Sequence, residues 1–203
     1  MTMNVLRFAA IDIGSNAVRL LVQDAIEFPS RTEFNKVALV RVPLRLGQDV
    51  FTQKMLSLES ISRLISTING YKYLMDAYRI VDYRTCATSA MREAKNGKEV
   101  VEKIRKETGV KIEIIDGDAE AHIIFSTHIA EMIDANKSYL YVDVGGGSTE
   151  ITIFSNNAYI GSISFPIGTV RLLNDMVPKE TWDSLRKWLS DIKTEYKDLS
   201  IIG

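Results

Sequence analysis

The chain has 203 residues, of which 46% are hydrophobic and 25% charged, and its formal net charge is −1. This composition is that of a globular protein with one large or two small domains. The near-neutral charge provides no global positive field, so we expect no nucleic acid partner. The only cysteine, Cys86, excludes a disulfide within these residues and favours a reducing cytoplasm. The apolar run 8–13 is too short to span a membrane and contains Asp12, so we expect no membrane partner.

Near its start the chain carries a pattern that it repeats far downstream. An apolar run ends in Ile11-Asp12-Ile13-Gly14-Ser15-Asn16, and alternating apolar residues follow at 18–22. The second copy reads Asp143-Val144-Gly145-Gly146-Gly147-Ser148-Thr149-Glu150, and alternation again follows at 151–154. Because residues on both sides alternate with a period of two, each copy is predicted to be a β-hairpin with a glycine- and hydroxyl-rich tip. Two copies so far apart in the chain, one at Asp12 and one at Asp143, indicate two similar domains that each open with the same loop.

These tips are candidate phosphate-binding loops, because closely spaced amide N–H groups form an anion-binding nest and glycine permits close approach. The candidate phosphate-binding residues are Gly14, Ser15 and Asn16 in the first tip and Gly145, Gly146, Gly147, Ser148 and Thr149 in the second. An aspartate cannot sensibly contact phosphate itself, so we expect Asp12 and Asp143 to hold a hydrated Mg²⁺. The alternative is an ordinary hairpin turn in which the aspartate serves turn geometry.

Strands and helices alternate between the two hairpins. In chain order we predict a strand at 37–46, a helix capped by Ser57, a strand at 80–86, a helix from Asn96-Gly97 to just before Gly109, a strand at 111–115, and a helix that follows Asp116-Gly117-Asp118. The inward residues of the last helix are predicted to be Ala121, Ile124, Phe125, Ile129, Met132 and Ile133. This order predicts an α/β protein with mixed sheets flanked by helices.

The second half is predicted to be shorter than the first. A strand at 159–165 precedes an amphipathic helix that opens at Pro178, and residues 199–203 form a last strand. The apolar side of that helix carries Trp182, Leu185, Trp188, Leu189 and Ile192, which are predicted to be core residues. We expect a first domain at 1–116 and a partial, truncated second domain at 117–203. An open sheet face would then expose the side chains of Leu140, Val142, Ile151 and Ile153.

These motifs resemble the exopolyphosphatase/guanosine pentaphosphate phosphohydrolase (Ppx/GppA) family, within the actin, Hsp70 and sugar kinase superfamily. The two tips resemble the family's two phosphate loops. Between them, Ala87-Thr88-Ser89-Ala90-Met91-Arg92-Glu93-Ala94 resembles the family's Thr-Ser-Ala-x-Arg-Glu-Ala segment. Ile114-Ile115-Asp116-Gly117-Asp118-Ala119-Glu120-Ala121 resembles the segment that carries the catalytic glutamate. The resemblance implies two actin-like (ribonuclease H-like) domains.

The resemblance also implies an activity. It is the Mg²⁺-dependent hydrolysis of the terminal phosphoryl group of polyphosphate or guanosine pentaphosphate. By position, Glu120 is the expected base for the attacking water and Arg92 the expected grip on the transferred phosphoryl group. Asp143 and Glu150 are the expected metal carboxylates, partly through water. Phosphoryl transfer needs positioning and charge stabilisation rather than covalent chemistry, so this set of residues suffices in principle.

Two positions depart from the family pattern: Ala119 replaces the first of two glutamates, and His122 stands where an arginine is common. Two alternatives stay open: a catalytically weak phosphate or nucleotide sensor, which the shortened second domain makes plausible, and an ATPase or kinase of the same superfamily. Polyphosphate and guanosine pentaphosphate are not distinguished by the sequence. A homodimer also remains an open expectation.

Overall fold

The computed structural model describes residues 4–124, 134, 137–156, 158–196 and 198–203. The chain divides into two compact units, and the division falls between Ile114 and Ile115. The expected division was after residue 116. Each unit is built on one sheet flanked by helices, so the predicted α/β class is confirmed. No helix among the described residues is both long and apolar enough to cross a membrane.

The first unit contains five strands in the order β3-β2-β1-β4-β5. Its elements are β1 (Asn4–Ile13), β2 (Val18–Glu27), β3 (Thr32–Val42), α1 (Leu46–Gln53), α2 (Leu58–Ala77), β4 (Asp82–Ala87), α3 (Ser89–Glu93), α4 (Gly97–Thr108) and β5 (Glu113–Ile114). The first three strands are antiparallel neighbours, whereas β4 runs parallel to β1 and β5 parallel to β4. The sheet is therefore mixed, and β4 ends beside the tip of the β1–β2 hairpin.

The second unit repeats this arrangement with four strands in the order β8-β7-β6-β9. Its elements are α5 (Gly117–Ile124), β6 (Ser138–Val144), β7 (Thr149–Ser155), β8 (Ala158–Phe165), α6 (Thr169–Leu173), α7 (Lys179–Glu195) and β9 (Leu199–Ile202). The strands β6, β7 and β8 are antiparallel neighbours, and β9 runs parallel to β6. They correspond to β1, β2, β3 and β4, so the prediction of two similar domains is confirmed. The predicted inward residues Phe125, Ile129, Met132 and Ile133 lie outside the described residues.

Strand β3 begins at Thr32 rather than at the predicted residue 37, and β5 covers only Glu113–Ile114 of the predicted 111–115. Two other boundaries differ from the predicted ones for local reasons. The strand predicted at 37–46 ends at Val42, because Pro43 has no N–H to continue the ladder. The strand predicted at 80–86 begins at Asp82. The preceding residues end helix α2, since Arg79 adopts the left-handed conformation and the N–H of Ile80 donates to the carbonyl of Met75. The predicted cap of α2 is confirmed, because the Oγ of Ser57 accepts from the N–H of Ser60.

The expectation of an open, apolar sheet face in the second unit is wrong. Leu140, Ile151 and Ile153 are only 3–5% exposed and form one buried cluster with neighbours from β8 and α7. The apolar side of α7 covers this cluster. Ile192 is buried within the cluster, and four partly buried residues pack against it: Trp182, Leu185, Trp188 and Leu189. The two tryptophans are therefore core residues, as predicted. Full burial of a large aliphatic side chain contributes about 1.5–3 kcal/mol, so Ile192 and the partly buried residues beside it stabilise the unit.

Candidate active site

The tip of the first hairpin, the first loop (residues 14–17), is closed by a hydrogen bond from the N–H of Gly14 to the carbonyl of Ala17 at 3.1 Å. After β3 the chain returns to this loop through the first return segment (residues 43–47). The N–H of Gly47 donates to the carbonyl of Ser15 at 2.8 Å, and the N–H of Arg45 donates to the carbonyl of Asn16 at 3.0 Å. Two carbonyls of the loop are thus fixed by backbone groups of one short segment.

The second hairpin tip, the second loop (residues 145–148), is closed in the same way, because the N–H of Gly145 donates to the carbonyl of Ser148 at 2.8 Å. The second return segment (residues 166–171) follows β8. Its N–H groups at Thr169 and Val170 donate to the carbonyls of Gly145 and Gly146 at 3.0 and 2.8 Å. The Nε of Arg171 donates to the carbonyl of Gly147 at 2.6 Å. All three glycine carbonyls of the second loop are therefore held.

The two return segments begin alike, and the sequence analysis missed both. The preceding strand ends in an apolar residue, which is followed by a proline and a second apolar residue. These tripeptides are Val42-Pro43-Leu44 in the first unit and Phe165-Pro166-Ile167 in the second. In each, the third residue donates its N–H back to the first, at 3.0 Å and 2.7 Å. The third residue is also 4% exposed in both cases. This repeated tripeptide was the signal that could have revealed the segments.

The held carbonyls determine where the amide groups of the second loop point. In a trans peptide the N–H is directed opposite to the preceding C=O, and the described residues contain no cis peptide. The N–H groups of Gly146, Gly147 and Ser148 are consequently directed away from α6. None of these amides has a protein acceptor within the described part of the chain. Three successive amides of this kind are a candidate anion-binding nest.

Gly168 allows the second return segment to lie against the loop. A Cβ built on this residue would lie 2.4 Å from the carbonyl oxygen of Gly146 and 2.5 Å from the carbonyl carbons of Gly146 and Gly147. No side chain fits at these distances, so Gly168 is required by close approach rather than by an unusual backbone angle. It is a site residue that the sequence analysis did not identify.

In the first unit, helix α3, which carries Arg92, begins beside the first loop. The N–H of Thr88 donates to the carbonyl of Ile13 at 3.2 Å, and the hydroxyls of Ser89 and Ser15 lie 2.8 Å apart. Both serines are buried, so this contact fixes the start of α3 against the loop. Arg92 follows one turn later and is half-buried. The structure thus places the start of helix α3, which carries Arg92, against the loop that contains Gly14, Ser15 and Asn16.

Asp12 lies directly opposite Arg19 in the β1–β2 ladder, and the Nη1 of Arg19 lies 2.8 Å from its Oδ2. Both side chains are 46% exposed. Such an exposed pair contributes at most about 1 kcal/mol, because water and salt screen it. Asp12 is therefore held beside the first loop but remains accessible to a competing cation.

In the second unit, Glu150 lies opposite Asp143 on one side and Ser164 on the other. Glu150 is 4% exposed, and its Oε1 accepts hydrogen bonds from the hydroxyls of Ser148 at 2.5 Å and Ser164 at 3.0 Å. Asp143 is half-buried on the same face of the sheet. Glu150 therefore anchors the second loop through Ser148, a role that the sequence analysis did not assign to it.

Helix α5 carries Glu120 in its first turn. The Oδ1 of Asp116 accepts from the N–H of Ala119 at 2.8 Å, and the N–H of Glu120 donates to the carbonyl of Asp116 at 3.0 Å. The helix packs on β8 and β7, where a Cβ on Gly117 would lie 3.2 Å from the Cβ of Ser164. Since Ser164 also binds Glu150, the start of α5 adjoins the carboxylate that anchors the second loop.

The predicted catalytic pair is divided between the units, with Arg92 in the first and Glu120 in the second. Among the described residues, no group of three or more histidine, cysteine, aspartate and glutamate side chains is arranged to hold a metal ion. Mg²⁺ commonly uses only one or two protein carboxylates, together with water and substrate phosphates. The pair Asp143 and Glu150, with oxygen donors on one face of a sheet, fits such a site in donor chemistry.

The fold and the two loops define a class of protein: an actin-like α/β protein with duplicated hairpins whose tips are candidate phosphate loops. The Ppx/GppA phosphatase family model matches residues 28–198. The chain therefore belongs to the Ppx/GppA phosphatase family, which confirms the resemblance seen in the sequence.

Individual relatives agree with this assignment. A bifunctional 3-dehydroquinate synthase/phosphatase of Fusobacterium nucleatum is 36% identical over 173 residues, which cover 83% of this chain and 26% of that protein. Exopolyphosphatase 1 of Mycobacterium tuberculosis is 29% identical over 189 residues, covering 91% of this chain and 54% of that protein. The crystal structure of the Aquifex aeolicus PPX-GPPA enzyme superposes with a TM-score of 0.74 at 26% identity, covering 98% of this chain and 68% of that one. The chain thus spans about half the length, or less, of these two curated relatives.

Proposed function

We propose that this chain takes part in the hydrolysis of a terminal phosphoanhydride bond, with inorganic polyphosphate as the substrate. The observation that carries this proposal is the second loop, whose three glycine carbonyls are fixed so that the amides of Gly146, Gly147 and Ser148 form one nest. Polyphosphate is favoured because curated relatives from mycobacteria are named exopolyphosphatases. Guanosine pentaphosphate is the alternative substrate of the same reaction.

The proposed roles rest on the family resemblance and on where each residue lies within its unit. The two loops bind phosphate oxygens through their amides, and Arg92 grips the transferred phosphoryl group with its planar fork. Glu120 orients or deprotonates the attacking water. Asp143 and Glu150 would hold Mg²⁺, partly through water, while Glu150 also anchors Ser148. Asp12 is a further candidate metal carboxylate, in the first unit. Bound Mg²⁺ would neutralise charge on the phosphate oxygens.

The test is phosphate release from polyphosphate, guanosine pentaphosphate and ATP, each with Mg²⁺ and with a chelator. We expect Mg²⁺-dependent release from polyphosphate. Release from ATP alone would contradict the proposal and favour the ATPase or kinase alternative. Phosphate binding without release from any substrate would contradict it in favour of the sensor.

A matched pair of variants separates true turnover from a contaminating phosphatase. Glu120→Gln removes the proposed base, whereas Glu180→Gln makes the same change in the first turn of α7, where the side chain is exposed. Only the first should abolish release. Equal activity of the two variants would show that the release does not come from the proposed site.

A further inference from the structure

Arg171 is a buried cation in direct contact with the second loop. Its residue is 7% exposed, and its Nε donates to the carbonyl of Gly147 at 2.6 Å. Burial of a guanidinium group is unfavourable unless its N–H groups are hydrogen-bonded. The hydrogen bond to the carbonyl of Gly147 meets this requirement for the Nε–H of Arg171.

The two units hold the carbonyl of the third loop residue with different kinds of hydrogen-bond donor. In the first loop, the carbonyl of the third residue, Asn16, is held by a backbone N–H from Arg45. In the second loop, the carbonyl of the third residue, Gly147, is held by the side chain of Arg171. A backbone donor survives most substitutions, whereas a side-chain donor does not. The orientation of the Gly147–Ser148 peptide thus depends on the identity of one residue.

The three glycines of the second loop make the orientation of the Gly147–Ser148 peptide strongly dependent on Arg171. Gly145, Gly146 and Gly147 are consecutive and have access to a wide range of backbone angles. A rotation of the Gly147–Ser148 peptide would turn the N–H of Ser148 away from the nest and its carbonyl partner toward any bound anion. The hydrogen bond from Arg171 opposes this rotation.

We propose that Arg171 is a positioning residue for phosphate binding: it holds the Gly147 carbonyl so that the Ser148 amide faces the ligand. This inference rests on the proposed function of the second loop. Arg171 does not touch the phosphate in this scheme and acts only through the peptide that it orients.

The experiment is a titration of the ¹⁵N-labelled chain with inorganic phosphate, followed through the amide signals of Gly146, Gly147 and Ser148. The variants are Arg171→Met, which keeps length but removes every donor, and Arg171→Lys, which restores a charged donor. The control is Arg186→Met, which removes an exposed arginine from α7 of the same unit. Thermal melting and the methyl signals of the core cluster under α7 report whether each variant is folded.

In the wild type and in Arg186→Met, phosphate should shift all three amide signals. In folded Arg171→Met, the Ser148 amide should lose its response and phosphate affinity should fall roughly ten- to hundredfold, as expected for one hydrogen bond to an anion. Arg171→Lys should recover part of the Ser148 response and part of the phosphate affinity. A merely structural role would lower the melting temperature without removing the Ser148 response selectively.

The outcomes separate this inference from the proposed function. If phosphate shifts none of the three amides in the wild type, the proposed function fails. If it shifts them and folded Arg171→Met responds like the wild type, the positioning role is overturned. Should Arg171→Met not fold, the wild type still decides: the Nε–H signal of Arg171 should move together with the Ser148 amide, and an unmoved Nε–H would contradict the inference.

Discussion

The N–H of Gly47 donates a 2.8 Å hydrogen bond to the carbonyl oxygen of Ser15. The second unit contains the same bond at the same length, from Val170 to Gly146. In each unit, therefore, a hairpin tip is held by the chain that returns from the third strand. The duplication extends beyond strand order to individual backbone hydrogen bonds at the first and second loops.

Gly168→Ala should damage the second loop, because its Cβ would overlap the carbonyl of Gly146 at 2.4 Å. We expect a loss of stability of about 1–3 kcal/mol and a fall of at least roughly tenfold in affinity for inorganic phosphate. The control is Gly161→Ala in β8, where nothing lies within 4 Å of an added Cβ. Calorimetric titration and thermal melting of both variants test this, and equal behaviour of the two would refute the close-approach argument.

Glu120→Gln should lower turnover far more than substrate affinity, because the amide cannot accept a proton from water. General-base roles contribute roughly 10²–10⁴-fold, so kcat should fall within that range while KM stays nearly constant. Steady-state phosphate release measures both quantities. Wild-type kcat in this variant would assign water activation to another group.

Asp143 and Glu150 should respond differently to truncation, although both are proposed to act near Mg²⁺. Asp143→Ala should remove most Mg²⁺-dependent phosphate binding and leave stability nearly unchanged. Glu150→Ala should also destabilise the fold by about 1–3 kcal/mol, because the hydroxyls of Ser148 and Ser164 lose their acceptor.

Glu150→Gln keeps a carbonyl acceptor and should recover much of that stability. Phosphate titrations with and without Mg²⁺, together with urea unfolding, separate the two effects. Unchanged Mg²⁺ dependence in Asp143→Ala would rule out its assignment as a metal residue.

Tyr71 should make the first unit less stable at alkaline pH. Its residue is 2% exposed, and its hydroxyl lies 2.9 Å from the carbonyl of Val18 and 3.2 Å from that of Val40. Burial raises the pKa of Tyr71 from 10.0 to about 12. Between these values the folded state keeps a proton that the unfolded state releases, so the free energy of unfolding should fall as the pH rises through this window.

Tyr71→Phe should be less stable at neutral pH by about 1 kcal/mol, because it lacks the hydroxyl donor. Its stability should also decline less steeply than that of the wild type between pH 10 and 12, the window set by the two pKa values. Urea unfolding at several pH values measures both differences. Parallel pH profiles of the two proteins would show that Tyr71 does not titrate in this way.

Both hairpins were predictable because their signals are local. Alternating side chains with a period of two define the strands that flank Gly14 and Gly145, and glycine permits the tips between them. The apolar side of α7 was predictable for the same reason, since its residues recur at helical spacing. The short helices α1 and α6 were not predicted, because α6 has only five residues and α1 eight, too few for a clear period.

The sequence by itself determined the strand order of each hairpin, the repeat, and the residue types of the candidate site. Such features depend on side-chain periodicity and on residues with special backbone freedom. Tertiary structure alone decided that Gly168 must be glycine, that Glu150 anchors Ser148, and that Arg171 holds Gly147. These contacts join residues whose proximity depends on strand pairing or on the path of the return segment. The acceptor at Gly147 is a backbone carbonyl, which every residue has. The sequence therefore does not show that Arg171 is the donor to this carbonyl.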